Sequence, residues 1–260
     1  MKRILDNVGV VLLGLLMGEL GYAQAESTDG AEAQSGEEER YIPDGRSVPP
    51  FEKVDDNRIR IGKVIVNHAT RTVSFDAVVN MEGGIMEYIC CMPNGKVHEA
   101  LLLTDADPLH ISLGMTLLKF HRFEKFFPER GEDFEWLPFK EPKPEDYADS
   151  HLQIEMSYMK DKKLIHDDFS EIIINAQTRK GLSTKHWLYT NSYFYQGAYQ
   201  ASFTGEVIAI FASRTSPINY IGDFHDGVNE TGWIINPTKK LTPGTKVTIT
   251  ISQKKVEKEQ

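Results

Sequence analysis

The sequence predicts an α+β protein, predominantly β: an antiparallel sandwich or partly open barrel with one main helix packed on a sheet. Three observations carry that expectation. Short runs of alternating apolar and polar residues recur from residue 58 to Ile251, and a period of two marks a half-buried strand. Clusters of glycine, proline and asparagine punctuate these runs at strand-length intervals. A single stretch, opening at Asp107-Pro108, joins a helix start signal to apolar residues at helical spacing.

The first 25 residues read as a signal peptide: Lys2 and Arg3 form a basic opening, residues 8–17 an apolar run, and Ala23-Gln24-Ala25 a small-x-small cleavage site. The protein is therefore expected to be exported, to the periplasm or the extracellular space. The apolar run is shorter than the roughly 20 residues that cross a bilayer, so no transmembrane segment is expected after signal cleavage. Residues 26–50 hold few large apolar groups and cannot offset the entropy of ordering, which makes them a flexible acidic linker. Between residues 26 and 46 seven acids stand against Arg40 and Arg46, a local charge of −5 within the chain's formal −9. That balance argues against nucleic acid as a partner, because Lys and Arg neutralising phosphates dominate such binding. Residues 51–255 are enough for a single domain with a substantial core.

Within the domain, residues 58–67 and 71–80 read as two strands joined by a short turn, the second setting Val73, Phe75, Ala77 and Val79 against Thr72, Ser74 and Asp76. After Glu82-Gly83-Gly84, residues 85–92 and 96–104 form the expected hairpin, turning at Pro93-Asn94-Gly95. Asp107 is a good N-cap and Pro108 suits the first helical position, so a helix is expected to about Phe127, with Leu109, Leu113, Leu117 and Phe120 facing the sheet. Residues 128–149 carry four prolines and many acids and read as a long surface loop or lid. Strands follow at 152–158, 171–175, 186–195, 206–212, 232–235 and 247–251.

Few chemistries find an anchor. There is no Gly-x-Ser-x-Gly, no Walker loop and no Gly-x-Gly-x-x-Gly after a strand. The histidines offer no His-x-His or His-x-x-x-His spacing, and His110 and His121 stand roughly 16 Å apart on a common helix, so neither metal nor cofactor is expected. His98 and Glu99, adjacent on the expected strand, leave on opposite faces. In the hairpin register Cys90, or Cys91 with a shorter loop, lies about 5 Å across from His98, which outlines a thiol nucleophile and its base. No third residue orients the imidazole, and a buried cysteine is more often a small hydrophobe. The aromatic run at Trp187, Tyr189, Tyr193, Phe194, Tyr195 and Tyr199 suits sugar or peptide stacking, although strand alternation turns about half of such rings inward as core.

Several stretches resemble the YdjY-like family of exported bacterial proteins. These are Gly84-Ile85-Met86-Glu87-Tyr88, Gly95-Lys96-Val97-His98-Glu99-Ala100-Leu101, Asp107-Pro108-Leu109-His110, Trp187-Leu188-Tyr189, Gly205-Glu206-Val207-Ile208 and Pro243-Gly244-Thr245-Lys246-Val247. The likeness covers about residues 60–253, and its Lys-x-His-Glu stretch is the most specific part. It implies export and one β-rich domain, and it implies no particular activity. Ferredoxin-like descriptions of some relatives do not transfer, since two adjacent cysteines cannot supply the four thiolates of an iron–sulfur cluster. The family has apolar residues where Cys90 and Cys91 stand, which weakens the thiol reading. The expectation is a non-enzymatic envelope protein with a binding or structural role, its partner an envelope protein, peptide or glycan and its candidate binding residues His98, Glu99, Trp187 and Tyr189. The alternative is a hydrolase or thiol enzyme centred on His98, Glu99 and the neighbouring Cys90 or Cys91.

Overall fold

The computed structural model describes residues 51–124, 127, 143–222 and 232–253. The signal peptide, the acidic linker and residues 128–142 of the expected lid lie outside the described residues. The strands in chain order are β1 Phe51–Lys53, β2 Arg58–Ile61, β3 Val64–Asn67, β4 Thr72–Val79, β5 Tyr88–Cys91 and β6 Ala100–Leu103. After helix α1 (Pro108–Leu117) and the short α2 (Pro144–Tyr147) come β7 Gln153–Lys160, β8 Lys163–Asp167, β9 Ile173–Asn175, β10 Trp187–Tyr189, β11 Phe194–Tyr195 and β12 Ala198–Tyr199. A one-turn helix α3 (Gln200–Thr204) leads into β13 Glu206–Ala209, β14 Ile218–Tyr220, β15 Trp233–Ile235 and β16 Lys246–Ser252.

The protein is predominantly β, built on one large mixed sheet. Its broad antiparallel part runs β1-β2-β3-β4-β16-β7-β8, with β16 seated between β4 and β7 along nearly its whole length. The far end of β4 passes to β6, and the sheet continues through β5, β13, β14 and β10. A bridge between His151 and Leu188, with Leu152 N–H donating to the Trp187 carbonyl at 2.9 Å, returns β10 to the start of β7. The path of strand contacts thus closes around the core, as a partly open barrel requires. Alternation fills the interior: Val73, Phe75, Ala77 and Val79 of β4 and Val247, Ile249 and Ile251 of β16 are all buried.

The expected hairpin of residues 85–92 and 96–104 does not form. β5 and β6 are neighbours, but parallel, with Tyr88 opposite Ala100 and Cys90 opposite Leu102. The Pro93–Gly95 turn forms, closed by Gly95 N–H on the Met92 carbonyl at 2.9 Å, and a 3₁₀ turn at Val97–Glu99 then carries the chain back to the start of β5. Asn80 fixes that return by donating its amide to the carbonyls of Val97 (2.6 Å) and Ala100 (2.9 Å). β13 takes the antiparallel edge of β5 that the hairpin partner was expected to fill.

Three other expectations change for a shared reason, left-handed backbone where the sequence pattern reads as a continuing strand or helix. Residues 58–67 are a hairpin rather than one strand, turning at Gly62 with φ +55°. β8 was not anticipated, because the β7–β8 turn uses Asp161 and Lys162, both with positive φ, in place of the usual Asn-Gly. Helix α1 begins as expected, with the Asp107 carboxylate accepting from Leu109 N–H at 2.8 Å, but it ends ten residues early. Lys119 (φ +55°) closes it: its N–H donates to the Thr116 carbonyl and Phe120 N–H to the Met115 carbonyl, the pairing of a Schellman motif normally built on glycine. Of the expected sheet-facing residues, Leu113 and Phe120 are buried and Leu109 and Leu117 half-buried. Gly114 sets how closely α1 approaches the sheet, since a Cβ there would stand 2.9 Å from Val66 Cγ2 and 3.2 Å from Val73 Cγ2.

Candidate functional site

Two of the stretches singled out in the sequence, Gly84–Tyr88 and Gly95–Leu101, meet in space. Glu87 precedes β5, Lys96 and His98 sit on the return loop, and Glu99 leads into β6; Glu87 N–H donates to the Glu99 carbonyl at 3.0 Å. Lys96 Nζ reaches Glu87 Oε2 at 3.1 Å and Glu99 Oε2 at 4.0 Å, and lies 5.7 Å from the centre of the Tyr88 ring. His98 Nε2 stands 3.5 Å from Glu99 Oε1. His98 and Glu99 therefore do not leave on opposite faces of a strand, because neither is in one. The His98 side chain is 74% exposed and that of Glu99 30%, so neither enters the core.

Electrostatics make Glu99 the unusual member of this cluster. Desolvation, then the hydrogen bond to the Glu87 carboxyl and its charge, raise the Glu99 pKa against the pull of Lys96 and His98. Its Oε2 is shut off from solvent with no hydrogen-bond partner among the described residues, beside the Glu87 carboxyl whose contact raises the Glu99 pKa. Burial pulls the Lys96 ammonium down, but the Glu87 hydrogen bond and the surrounding carboxylates outweigh it and raise its pKa.

Cys91 lies beside this cluster, within reach of the Lys96 backbone N–H, and Cys90 points away from it into the main core. Cys90 pairs with Leu102 in the main core and Cys91 lies in a separate cluster with Tyr88, Ala100 and Ala209; both are fully buried, free thiols. Burial, with the Glu206 carboxylate nearby, pushes the Cys91 thiol up to about 12, and burial also raises Cys90, so neither supplies a thiolate at neutral pH. Trp187 and Tyr189 are 0% and 2% exposed and present no ring face to solvent. Trp187 packs against Tyr220 with the rings tilted at 58° and 5.0 Å between centres, and Tyr189 hydroxyl lies 3.3 Å from that of Thr116. Tyr195 and Tyr193 are the exposed rings of that stretch.

A second feature had no place in the sequence reading: a groove of about 830 Å³ on the outer face of the antiparallel sheet. Its floor comes from alternate residues of β4, β16, β7 and β8. One row across the strands reads Asp76, Thr248, Ser157 and His166, tied by Thr248 hydroxyl to Asp76 at 2.8 Å. The next row reads Val78, Lys246, Met159 and Leu164, where apolar groups stand in a register that is polar elsewhere on this face. Val78, Met159 and Leu164 are 38%, 60% and 57% exposed. The rim holds Arg60, Lys63 and Lys246. Arg60 is paired with Glu52 at 3.1 Å and Lys63 with Asp105 at 2.8 Å, whereas Lys246 has no ion-pair partner among the described residues. The sequence signal existed, three large apolar residues out of phase, but β8 was needed to see that two of them are opposite each other.

Among the described residues no group of three or more His, Cys, Asp or Glu side chains could hold a metal ion, and no helix is long and apolar enough to cross a membrane. Comparison with family models, curated proteins and solved structures returned no match for this chain.

Proposed function

We propose that this is an exported, non-enzymatic protein of the cell envelope whose role is binding, and that it takes an extended peptide segment of an envelope partner along the outer groove. The observation that carries this reading is the row Val78, Met159 and Leu164: large apolar side chains held in open water on the sheet, beside Lys246, which has no ion-pair partner among the described residues. Such a surface favours a ligand with apolar side chains flanked by carboxylates, and its volume suits several extended residues. The YdjY-like resemblance and the signal-like opening of the chain support export. The test is fluorescence anisotropy with a labelled random copolymer of glutamate and tyrosine. Saturable binding weakened at least tenfold by Met159→Glu or Leu164→Glu is the expected result, and binding indifferent to both substitutions refutes the site.

A hydrolase centred on His98 and Glu99 is the second reading, and the Glu87–Glu99 carboxyl pair is what favours it, because a carboxyl with a raised pKa suits a general acid. Against it, the His98 imidazole is largely exposed, and among the described residues its ion contact is the 3.5 Å approach to Glu99. The thiol version loses its cross-strand geometry, since Cys90 faces Leu102 and Cys91 faces Leu103, and neither is across from His98. Hydrolysis of ester or glycoside substrates that Glu99→Gln abolishes would establish the enzyme.

A further inference from the structure

We infer that two copies of this chain join edge to edge through β8, antiparallel about a two-fold axis at Ile165, so that their outer sheet faces lie side by side. The inference stands apart from the ligand of the groove, because it rests on the edge strand and not on what the face binds. β8 pairs with β7 alone, and its other edge is open among the described residues. The two-residue turn at Asp161-Lys162 closes on Lys160 and Lys163, as its i to i+3 hydrogen bond requires. Alternation then makes Tyr158–Ile165 and Met156–Asp167 the next bonded pairs. Leu164 and His166 therefore turn their backbone N–H and carbonyl groups to the open edge, where they have no partner among the described residues. Such an edge is a template for another strand unless proline, a bulge, a covering element or charge defends it. β8 has no proline and no bulge, and its charges are complementary to themselves.

A two-fold axis through the middle of β8 can pass at Leu164, Ile165 or His166, and charge selects among the three. Centred on Ile165, Lys163 of one copy lies opposite Asp167 of the other, and Lys162 comes near Asp168, with both contacts repeated across the axis. Leu164 then exchanges backbone bonds with His166 of the second copy, and the half-buried Ile165 meets its own counterpart. Centred on Leu164, Lys163 would face Ile165; centred on His166, Leu164 would face Asp168 and Lys163 would face Phe169. Lys162, Lys163, Asp167 and Asp168 have no ion-pair partner among the described residues. At β1, the edge at the far end of the sheet, the charges are already paired, Glu52 with Arg60 and Lys53 with Asp56. Burial, then the charges of Asp168 and Glu171, raise the Asp167 pKa against the Phe169 N–H and Lys239, and an ammonium across the edge offsets that penalty. A five-residue edge is a small interface, so association depends on concentration and weakens with salt.

The experiment is sedimentation equilibrium on the chain from Glu26 to Gln260 over a wide range of concentration at low salt. The expected result is a monomer–dimer equilibrium weakened at least tenfold by Lys163→Glu or by Asp167→Lys, because like charges then face each other across the axis. Mixing the two variants should restore the dimer, since each then supplies the charge opposite to the one it meets. Should Asp167→Lys, at a half-buried position, lower the folded content, Asp168→Lys mixed with Lys162→Glu takes its place, both side chains being exposed. His166→Pro removes an edge-facing donor and leaves the bonds to β7 in place, so it should give a monomer with an unchanged far-ultraviolet circular dichroism spectrum. A chain that is monomeric at every concentration overturns the inference. So does a dimer that survives His166→Pro, or one whose charge variants fail to recombine on mixing. Copolymer binding by a chain that stays monomeric removes this inference alone, whereas a dimer that binds no copolymer removes the ligand reading and leaves the inference standing.

Discussion

Gly205→Ala tests how the return loop between β5 and β6 is anchored. Gly205 ends α3 with φ +73°, and its carbonyl accepts from Met92 N–H at 2.7 Å. The Pro93–Gly95 turn rests directly on it: a Cβ at 205 would stand 2.6 Å from the Gly95 nitrogen and 2.8 Å from Gly95 Cα. Asn94 adds its side-chain amide to the carbonyls of Ser202 and Phe203, each at 3.2 Å. Left-handed backbone alone costs alanine about 1 to 2 kcal/mol. Because the obstructing atoms are backbone, the turn must move away, and losing the Met92 bond and the Asn94 contacts adds about 1 kcal/mol each. The expected total is about 3 to 4 kcal/mol, read from the midpoint of urea unfolding. Gly244→Ala is the control, with φ +83° and nothing within 4 Å of the added Cβ, and should cost only the backbone part. Equal losses in the two variants would refute the anchoring of the loop by close approach.

Three further outcomes follow from local chemistry. Asp107→Ala removes the cap of α1 and the acceptor for the Ser202 hydroxyl, so it should cost about 1 to 2 kcal/mol, and Ser202→Ala less, by calorimetry. Glu99 has a raised pKa in the folded protein, so folding favours its protonated form; that contribution is present below the ordinary glutamate range and lost as pH rises through the folded value. Glu99→Gln should therefore raise the melting temperature slightly at neutral pH, by no more than about 1 kcal/mol equivalent, and the gain should vanish in acid; a neutral-pH loss contradicts the carboxyl pair. A thiol reagent should leave the native protein unlabelled at neutral pH and label two cysteines per chain in urea, whereas rapid native labelling would mean that β5 opens readily.

The pleat was legible and the topology was not. The alternation on β4, β7 and β16 placed Phe75, Met156 and Ile249 inside from spacing alone, and Asp107-Pro108 marked the start of α1 to the residue. The end of α1, the β7–β8 turn and the hairpin at Gly62 were missed because left-handed backbone at Lys119, Asp161 and Lys162 has no compositional flag, and a lone glycine within an alternating run reads as a continuing strand. The β5–β6 error is of another kind. Pro93-Asn94-Gly95 turns as its residues dictate, but which strand fills the edge of β5 is decided by β13, more than a hundred residues away, and no local pattern announces that. The same error misplaced His98 and Glu99, whose contacts with Glu87 and Lys96 exist only because β5 and β6 are parallel.

The claim that binding occurs on the outer sheet face is tested most directly by mapping it. Nuclear magnetic resonance spectra recorded while the glutamate–tyrosine copolymer is added should show shifts concentrated at Val78, Met159, Leu164 and Lys246, in one saturable transition. Shifts confined to Glu87, Lys96, His98 and Glu99, with the groove residues unmoved, would contradict the account and transfer the site to the carboxylate cluster.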